Sequence, residues 1–329
     1  MEHGELPKAS IQRRAIGDQA CWSQLTSLTA AFLARGGDDK PGCTFEGRTT
    51  PWTKVVADSA TRAEILRSFI EPSDAQRFAV LVDDSREYMF WLGAALLSGI
   101  CMTGLDPTRP PALNRAALHG CQSRFAVCDD VGLRYLESLA IGSFRTIDLK
   151  SDHYLAVFDD CSETAALINV MNDTRLLCSL PLESPAFGNA TFDVSEHQVG
   201  VAANQVVRAT EMTTYDVCYD ALPMNCANSV LTCWGPALLT GAEIVFQRTF
   251  EPEQFFADVR EFNCTYFVFA HSMIAELLDM PPSDSDREHR LRVGFGTDST
   301  PEQRREFLDR FGCQLVEAES HLAMALHDV

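Results

Sequence analysis

The chain has 329 residues, a formal net charge of −19 and a hydrophobic fraction of 46%. This length allows one large α/β domain or two fused lobes, and the negative charge disfavours a nucleic acid partner. No stretch approaches the ~20 uninterrupted apolar residues of a membrane span, and the first residues do not form a secretory signal, so we expect a cytoplasmic protein without a membrane span.

The first half of the chain alternates helix and strand patterns from residue 50 onwards. Apolar residues recur at helical spacing up to Phe69, and we expect Thr50 to cap this helix with Pro51 at its first position. Short apolar runs then alternate with amphipathic ones. The predicted strands are 78–82, 100–104, 124–128 and 144–149, and the predicted helices are 85–97, 111–119 and 131–139.

The second half repeats this alternation after an acidic stretch at 150–173, which we expect to be a solvated connection between a subdomain at 1–150 and another at 174–329. Its predicted strands are 243–247, 266–270, 291–295 and 313–316, and its predicted helices are 252–262, 272–278 and 301–311. Such alternation predicts an α/β fold with two lobes of mostly parallel β-sheet flanked by helices.

The twelve cysteines are scattered, and several lie in apolar strand-like runs, so we expect most of them to be reduced core thiols. The sequence contains no CxxC pair and no HExxH spacing. We therefore predict no metal site and no cofactor.

Three segments carry a family resemblance. Residues 78–130 contain the turn Gly104-Leu105-Asp106-Pro107-Thr108-Arg109, and the other segments are 216–270 and 293–313. They resemble acyl-CoA synthetases and fatty-acid transport proteins of the adenylate-forming superfamily. The resemblance implies the large N-terminal domain of that family, and we expect this chain to lack the small barrel subdomain and the C-terminal domain that follow it.

The stretch matching the family's phosphate loop departs from the pattern that ATP binding needs. In the family this loop is rich in Ser, Thr and Gly and ends in Pro-Lys, because small residues let backbone N–H groups approach phosphate and the Lys supplies charge. Residues 182–190 instead have Glu183, Pro185 and Phe187, with Ala190 in place of the Lys. Pro185 also lacks an N–H donor.

The family's metal-binding signature, Tyr-Gly-x-Thr-Glu, is also altered. Residues 319–323 align with it as Glu-Ser-His-Leu-Ala, so Ala323 stands where the Mg²⁺-binding Glu would be. The resemblance therefore implies a protein that neither binds ATP·Mg²⁺ nor forms an acyl-adenylate.

The substrate side of the family site is better matched. Asn228 and Trp234 occupy family-like positions in the helix that borders the acyl tunnel, and Phe269 ends the next pocket strand. Gly296, Thr297 and Asp298 form a polar turn at the adenine segment. We predict that these six residues bind substrate, although a buried helix needs similar residues for packing alone.

Two substitutions introduce chemistry. Cys226 stands where the family has His, and His271 follows the strand ending at Ala270. If the two face one cavity, His271 would be the base and Cys226 the nucleophile, since a nearby imidazole lowers a thiol pKa. The alternative is a core-filling Cys226 and a capping or exposed His271.

Two functions follow. One is a repurposed enzyme that carries out ATP-independent chemistry on an acyl or other small molecule in a biosynthetic pathway. The other is a non-catalytic pseudoenzyme that binds an acyl ligand or a protein. We also expect a homodimer or a protein partner, because the face that the missing domains cover in the family would be exposed.

Overall fold

The computed structural model describes residues 27–72, 74–122, 124–142, 144–161, 175–184, 188–270 and 272–318. The helices are α1 Leu28–Ala34, α2 Trp52–Phe69, α3 Ser85–Ser98, α4 Pro111–Cys121, α5 Asp130–Ser138, α6 Asp152–Asp160, α7 Glu196–Thr210, α8 Gly235–Thr240, α9 Pro252–Glu261, α10 Met273–Asp279 and α11 Pro301–Phe311. A 3₁₀ turn at Arg35–Gly37 and a π-helical segment at Ser229–Trp234 complete them.

The strands are β1 Pro41–Phe45, β2 Arg48–Pro51, β3 Arg77–Leu81, β4 Cys101–Gly104, β5 Phe125–Cys128, β6 Arg145–Asp148, β7 Leu176–Ser184, β8 Gly188–Ser195, β9 Val217–Asp220, β10 Glu243–Phe246, β11 Tyr266–Phe269, β12 Val293–Gly296 and β13 Gln314–Glu317. Within the described ranges, no helix is both long enough and apolar enough to cross a membrane.

The described strands form two sheets. A six-stranded sheet has the order β6-β5-β3-β4-β7-β8, and a seven-stranded sheet has the order β13-β12-β11-β9-β10-β1-β2. All pairings are parallel except β1 with β2 and β7 with β8. The predicted α/β fold with mostly parallel sheets flanked by helices is confirmed.

Each sheet includes a segment from the other half of the sequence. Strand β1, near the N-terminus, pairs in parallel with β10, with Cys43 opposite Ile244. Strand β7 pairs with β4, with Met102 opposite Cys178. The boundary at 150–173 remains a prediction about domains, whereas the sheets themselves are built from exchanged segments.

The start of α2 differs from the prediction. Thr50 does not cap the helix, because it lies in β2 and pairs with Cys43 of β1. Pro51 is the N-cap residue rather than the first helical residue, with an extended backbone at φ −69° and ψ 157°. The β1–β2 pairing extends to Pro51, so the chain enters the helix at Trp52.

Part of the expected connection at 150–173 is helical. Ser151 caps α6 by accepting a hydrogen bond of 3.1 Å from the backbone N–H of Tyr154. Tyr154 is buried in the larger hydrophobic core. The N–H three residues after a Ser cap is a usual donor to its side chain, so this local hydrogen bond explains why the helix begins here. Residues 162–174 lie outside the described part of the chain.

The six-stranded sheet has a hydrophobic core on each face. The larger core includes Phe78 and Val80 of β3 and extends to the seven-stranded sheet. The smaller core includes Ala79 and Leu81 of β3 and packs against Leu136 of α5. Alternating strand residues thus face opposite sides, as the pleat of a strand requires.

A buried ion pair ties α2 to α3 in the larger core. The guanidinium of Arg62 donates to both carboxylate oxygens of Glu87, at 2.8 and 2.6 Å, and lies 4.8 Å from the ring centres of Phe90 and Phe158. Trp91 donates to the same carboxylate at 2.8 Å. Burial lowers the pKa of Arg62, but Glu87, Tyr154 and Asp58 together more than offset this, so the pKa is raised overall and the guanidinium stays charged.

Candidate functional site

The first part of the site lies where β11 and β12 end side by side. Phe269 of β11 pairs with Gly296 of β12, and the N–H of Thr297 donates to the carbonyl of Phe269 at 3.2 Å. A Cβ on Gly296 would lie 1.8 Å from that carbonyl oxygen. Only glycine therefore allows the two backbones to approach this closely.

The turn after β12 presents two polar side chains. Thr297 is buried, and its hydroxyl donates a hydrogen bond of 3.1 Å to a carboxylate oxygen of Asp298. Asp298 has a positive φ of 71°, a conformation that Asp adopts more readily than most residues. The turn therefore holds a hydroxyl and a carboxylate together at the carboxyl end of the parallel strands.

Asn228 reaches this turn from another element. Its side-chain Nδ2 donates to the hydroxyl of Thr297 at 3.2 Å, and its side-chain Oδ1 is buried without a hydrogen bond to any described residue. We call Asn228, Thr297, Asp298 and the neighbouring Cys226 and Ser229 the Asn228 site. The structure thus brings together Asn228, Thr297 and Asp298, and their predicted role in binding substrate stays a prediction.

The π-helical segment after Asn228 has a physical cause in Pro236. A proline in the next helix has no N–H to give to the carbonyl four residues earlier, and its ring clashes with that group. That carbonyl belongs to Thr232 and accepts a hydrogen bond of 2.5 Å from the Tyr266 hydroxyl instead. The backbone widens to a π-helix there, a geometry often found at functional sites.

Trp234 is fully buried at the end of the π-helical segment, and its indole N–H has no hydrogen-bond partner in the described ranges. Phe269 is likewise fully buried. Both belong to the larger core, so their packing role is plain, and their predicted role in substrate binding stays a prediction.

The surroundings of Cys226 keep its thiol neutral. Burial raises the pKa of this thiol to about 12, and the sulfur accepts a weak hydrogen bond from the backbone N–H of Ser229 at 3.5 Å. His271, its predicted partner, lies outside the described residues. The catalytic pair therefore stays a prediction, and what is seen of Cys226 resembles a packed thiol.

Sequence reasoning missed Asp220, which ends β9 beneath the site. This carboxylate is fully buried and accepts hydrogen bonds from the hydroxyl of Ser229 at 3.1 Å and the N–H of Leu222 at 3.0 Å. Burial raises its pKa from 3.8 to about 6. An acid at the carboxyl end of a buried parallel strand was the signal that could have identified it.

Asn225 joins the site to the six-stranded sheet. Its amide donates to the carbonyl of Leu105 at 2.7 Å, and a Cβ on the neighbouring Gly104 would lie 2.4 Å from the Tyr88 hydroxyl. Gly104 and Leu105 begin the turn on which the family resemblance partly rests. The Asn228 site therefore lies close to the contact between the two sheets.

The stretch 182–190, matched to the phosphate loop, lies in the β7–β8 hairpin. Backbone pairing continues through Leu182 with Ala190, Glu183 with Asn189 and Ser184 with Gly188. Three residues, 185–187, separate the last paired positions, and they lie outside the described residues together with Ala323.

Comparisons with known proteins agree with this architecture. The family described as AMP-binding enzyme matches residues 189–319. A steroid-22-oyl-CoA synthetase from Rhodococcus jostii is 29% identical over 89% of this chain and 53% of its own. A medium/long-chain fatty-acid–CoA ligase from Mycobacterium marinum is 24% identical over 85% of this chain and 54% of its own.

Solved structures show the same fold. A benzoate CoA ligase from Burkholderia xenovorans LB400 superposes with a TM-score of 0.76 at 15% identity, covering 88% of this chain and 60% of that one. ATP-bound MatB from Rhodopseudomonas palustris gives 0.75 at 18% identity, covering 89% of this chain and 59% of that one. The fold is that of the N-terminal domain of adenylate-forming enzymes.

Beyond the fold, the chain is similar in sequence to acyl-CoA synthetases over most of its length. The resemblance predicted from the sequence is thereby confirmed. The chain spans about half the length of the curated relatives it matches.

Proposed function

We propose that this acyl-CoA synthetase-like chain binds an acyl-type small molecule at the Asn228 site and does not activate it with ATP. The observation that carries the proposal is the β7–β8 hairpin, whose strands remain paired as far as Ser184 and Gly188. Backbone groups fixed in a ladder cannot turn together toward a triphosphate, and phosphate loops depend on such convergent N–H groups.

The residues of the hairpin support the same conclusion. Glu183 places an acid in the stretch that the family uses for phosphate, and Ala190 has no charge to offer in place of the family's Lys. Removing a single group that stabilises developing charge typically raises a reaction barrier by about 3 to 4 kcal/mol. Several such losses together leave no route to adenylate formation at a useful rate.

Of the two predicted functions, the surroundings of Cys226 favour non-catalytic binding over ATP-independent chemistry. The thiolate is the reactive form of cysteine, and a pKa of about 12 leaves almost none of it at neutral pH. A role for Cys226 with His271 would need a ligand or a base that lowers this pKa.

A ligand would find few polar groups in largely apolar surroundings at this site. The buried side-chain Oδ1 of Asn228 has an open acceptor position among the described residues, and the Thr297 hydroxyl and Asp298 carboxylate lie beside it. Buried Phe269 supplies an apolar neighbour. A few placed polar groups among apolar ones are typical of small-molecule pockets.

Calorimetry tests this binding directly. The names of the curated relatives indicate the probes, which are a steroid C22 carboxylic acid and decanoic acid. We expect one of them to bind, and we expect Asn228→Leu to weaken that binding about tenfold, as the loss of a buried polar contact would. Gln254→Leu, which alters an exposed amide on α9, is the matched control and should leave the affinity unchanged.

Absence of binding by both probes, or equal loss in the two variants, would overturn the proposal.

The expected homodimer or protein partner also stays a prediction. Light scattering over a range of concentrations tests it, and a monomer at every concentration with no partner recovered from cells would remove its support.

A further inference from the structure

A cavity of about 530 Å³ opens at the carboxyl edge of the six-stranded sheet. It is lined by residues that follow β3, β5 and β6 and by side chains of α2, α3, α5 and α6, together with Arg248 after β10. None of the residues of the Asn228 site lines it. Its volume lies within the range of pockets that hold drug-sized ligands.

The topology places this cavity at a switch point of the sheet. Strands β3 and β5 are neighbours, but the helices that follow them pack on opposite faces. Helix α3 contributes Trp91 to the larger core, and α5 contributes Leu136 to the smaller one. Loops that leave adjacent strands in opposite directions open a crevice, and ligands of open α/β sheets bind in such crevices.

The cavity has an apolar rim. Val131 is 52% exposed and Leu155 is 49% exposed, and they are two of the four large apolar side chains that are exposed in the described part of the chain. Half-buried Val82, Leu149 and Phe158 continue the apolar lining inward. Exposed apolar side chains gathered around one cavity point to an apolar ligand.

The charged groups of the lining are mostly engaged with one another. Three ion pairs fix six of them, namely Arg62 with Glu87, Arg248 with Asp83 and Lys150 with Asp130. The other two carboxylates accept from backbone N–H groups, Asp84 from Glu87 at 2.9 Å and Asp129 from Gly132 and Asp83 at 2.8 Å each. With five carboxylates against four cationic side chains, the lining disfavours a phosphorylated ligand.

Tyr154 supplies an uncommitted polar group in this lining. The residue is 7% exposed, and its hydroxyl makes no hydrogen bond to any described residue. Burial raises the pKa of this phenol, so the group is neutral and can both donate and accept. A buried hydroxyl without a partner is unfavourable, and a ligand with one polar atom would relieve that.

We propose that this cavity is a second ligand site, which takes a neutral, largely apolar small molecule bearing one hydroxyl or carbonyl group. The apolar body contacts Val131, Leu155 and Phe158, and the polar group pairs with Tyr154. The site is independent of the proposed binding at Asn228, since the two share no residue.

Fluorescence titrations with three related probes separate the apolar contact from the hydrogen bond to Tyr154 and test the exclusion of a phosphate. The probes are 2-naphthol, naphthalene and 2-naphthyl phosphate, which differ only in the group that would meet Tyr154. We expect saturable binding of 2-naphthol and no binding of the phosphate. Tyr154→Phe should weaken 2-naphthol about fivefold and leave naphthalene unchanged, because a neutral hydrogen bond has a modest net value.

Leu155→Asp tests the location, and Leu308→Asp is its control, since Leu308 is 47% exposed on α11 and lies outside the cavity. We expect the first variant to weaken 2-naphthol and naphthalene at least about tenfold and the second to change neither. The proposal is overturned by absence of saturable 2-naphthol binding up to millimolar concentration, by equal effects of the two Asp variants, or by a Tyr154→Phe effect that is the same for 2-naphthol and naphthalene.

Discussion

The amide of Asn228 donates to the hydroxyl of Thr297 over 3.2 Å, which joins a π-helical segment to a turn 69 residues further along the chain. This bond orients the two polar side chains that the sequence assigned to substrate binding. Because Thr297 also donates to Asp298, the three side chains act as one group.

Thr297 variants test whether this group binds a ligand. Thr297→Val keeps the shape but removes the hydroxyl, so we expect about fivefold weaker binding of the acid that calorimetry identifies. Thr297→Ser keeps the hydroxyl and should stay within about twofold of the original affinity. If Val and Ser at this position bind equally well, the hydroxyl has no part in binding.

Gly296→Ala tests the close approach of β11 and β12. The new Cβ would lie 1.8 Å from the carbonyl oxygen of Phe269, so the strands must separate, and we expect the free energy of unfolding to fall by about 2 kcal/mol or more. Gly120→Ala is the control. Gly120 lies in α4, and apart from its neighbours in the helix no atom lies within 4 Å of where an alanine Cβ would be, so alanine should raise that free energy by about 0.5 to 1 kcal/mol.

Urea unfolding of both variants measures these changes. Equal stability of Gly296→Ala and the unaltered protein would mean that the strands are not held at this distance.

Asp220 gives the protein a pH-dependent stability. Burial raises the pKa of this carboxyl from 3.8 to about 6, so the folded state holds the proton more tightly than the unfolded chain does. Its contribution is fully present below about pH 4 and is lost as the pH rises through about 6. The loss amounts to roughly 3 kcal/mol, on the order of 1.4 kcal/mol for each pKa unit.

The Asp220→Asn variant should lack this pH-dependent loss of stability, because the amide does not ionise. We expect the free energy of unfolding of the variant, relative to the unaltered protein, to rise between pH 4 and pH 8 by about that amount. Urea titrations at one-unit intervals of pH measure it, and parallel pH profiles for the two proteins would show that Asp220 is not buried as described.

Cys226 should react slowly with alkylating agents. A thiol with a pKa of about 12 is almost entirely protonated at pH 8, and the thiolate is the form that attacks iodoacetamide. Mass spectrometry of the peptide that carries Cys226 should show alkylation at least tenfold slower in the folded protein than in urea. Faster alkylation in the folded state would contradict the buried, neutral thiol and support the predicted pair with His271.

The sequence predicted elements whose causes are local. Helix α11 was predicted at 301–311, and the structure has it at Pro301–Phe311. The structure shows local causes at both ends, since Thr300 and Gln303 form a capping box and Gly312 ends the helix with φ +73°. Strand β5 was predicted one residue too long at its start, since Arg124 adjoins the apolar run at Phe125.

Elements with distant causes were missed. Strand β1 is a short run that contains Gly42, and it becomes a strand because it pairs with β10. The partner is far along the chain, since Thr44 of β1 donates to Glu243 of β10, 199 residues later. The π-helical segment depends on a distant residue. Pro236 leaves the carbonyl of Thr232 without a backbone donor, and the hydroxyl of Tyr266 donates to it instead. Patterns along one chain do not contain such pairings.

The candidate site shows the same division. The family resemblance identified Asn228, Thr297 and Asp298, and the structure brings them together. The roles of Asp220 and Ser229 come from a buried contact between strand β9 and the segment after it, which periodicity does not indicate.

Whether the chain uses ATP is tested most directly by a pyrophosphate-release assay with ATP, Mg²⁺ and the two carboxylic acids, run beside calorimetry with ATP alone. The paired backbone at Ser184 and Gly188, with Glu183 and Ala190 in the phosphate stretch, predicts no heat of ATP binding and no acid-dependent pyrophosphate. Micromolar affinity for ATP, or pyrophosphate release that depends on either acid, would show that the chain binds or uses ATP after all.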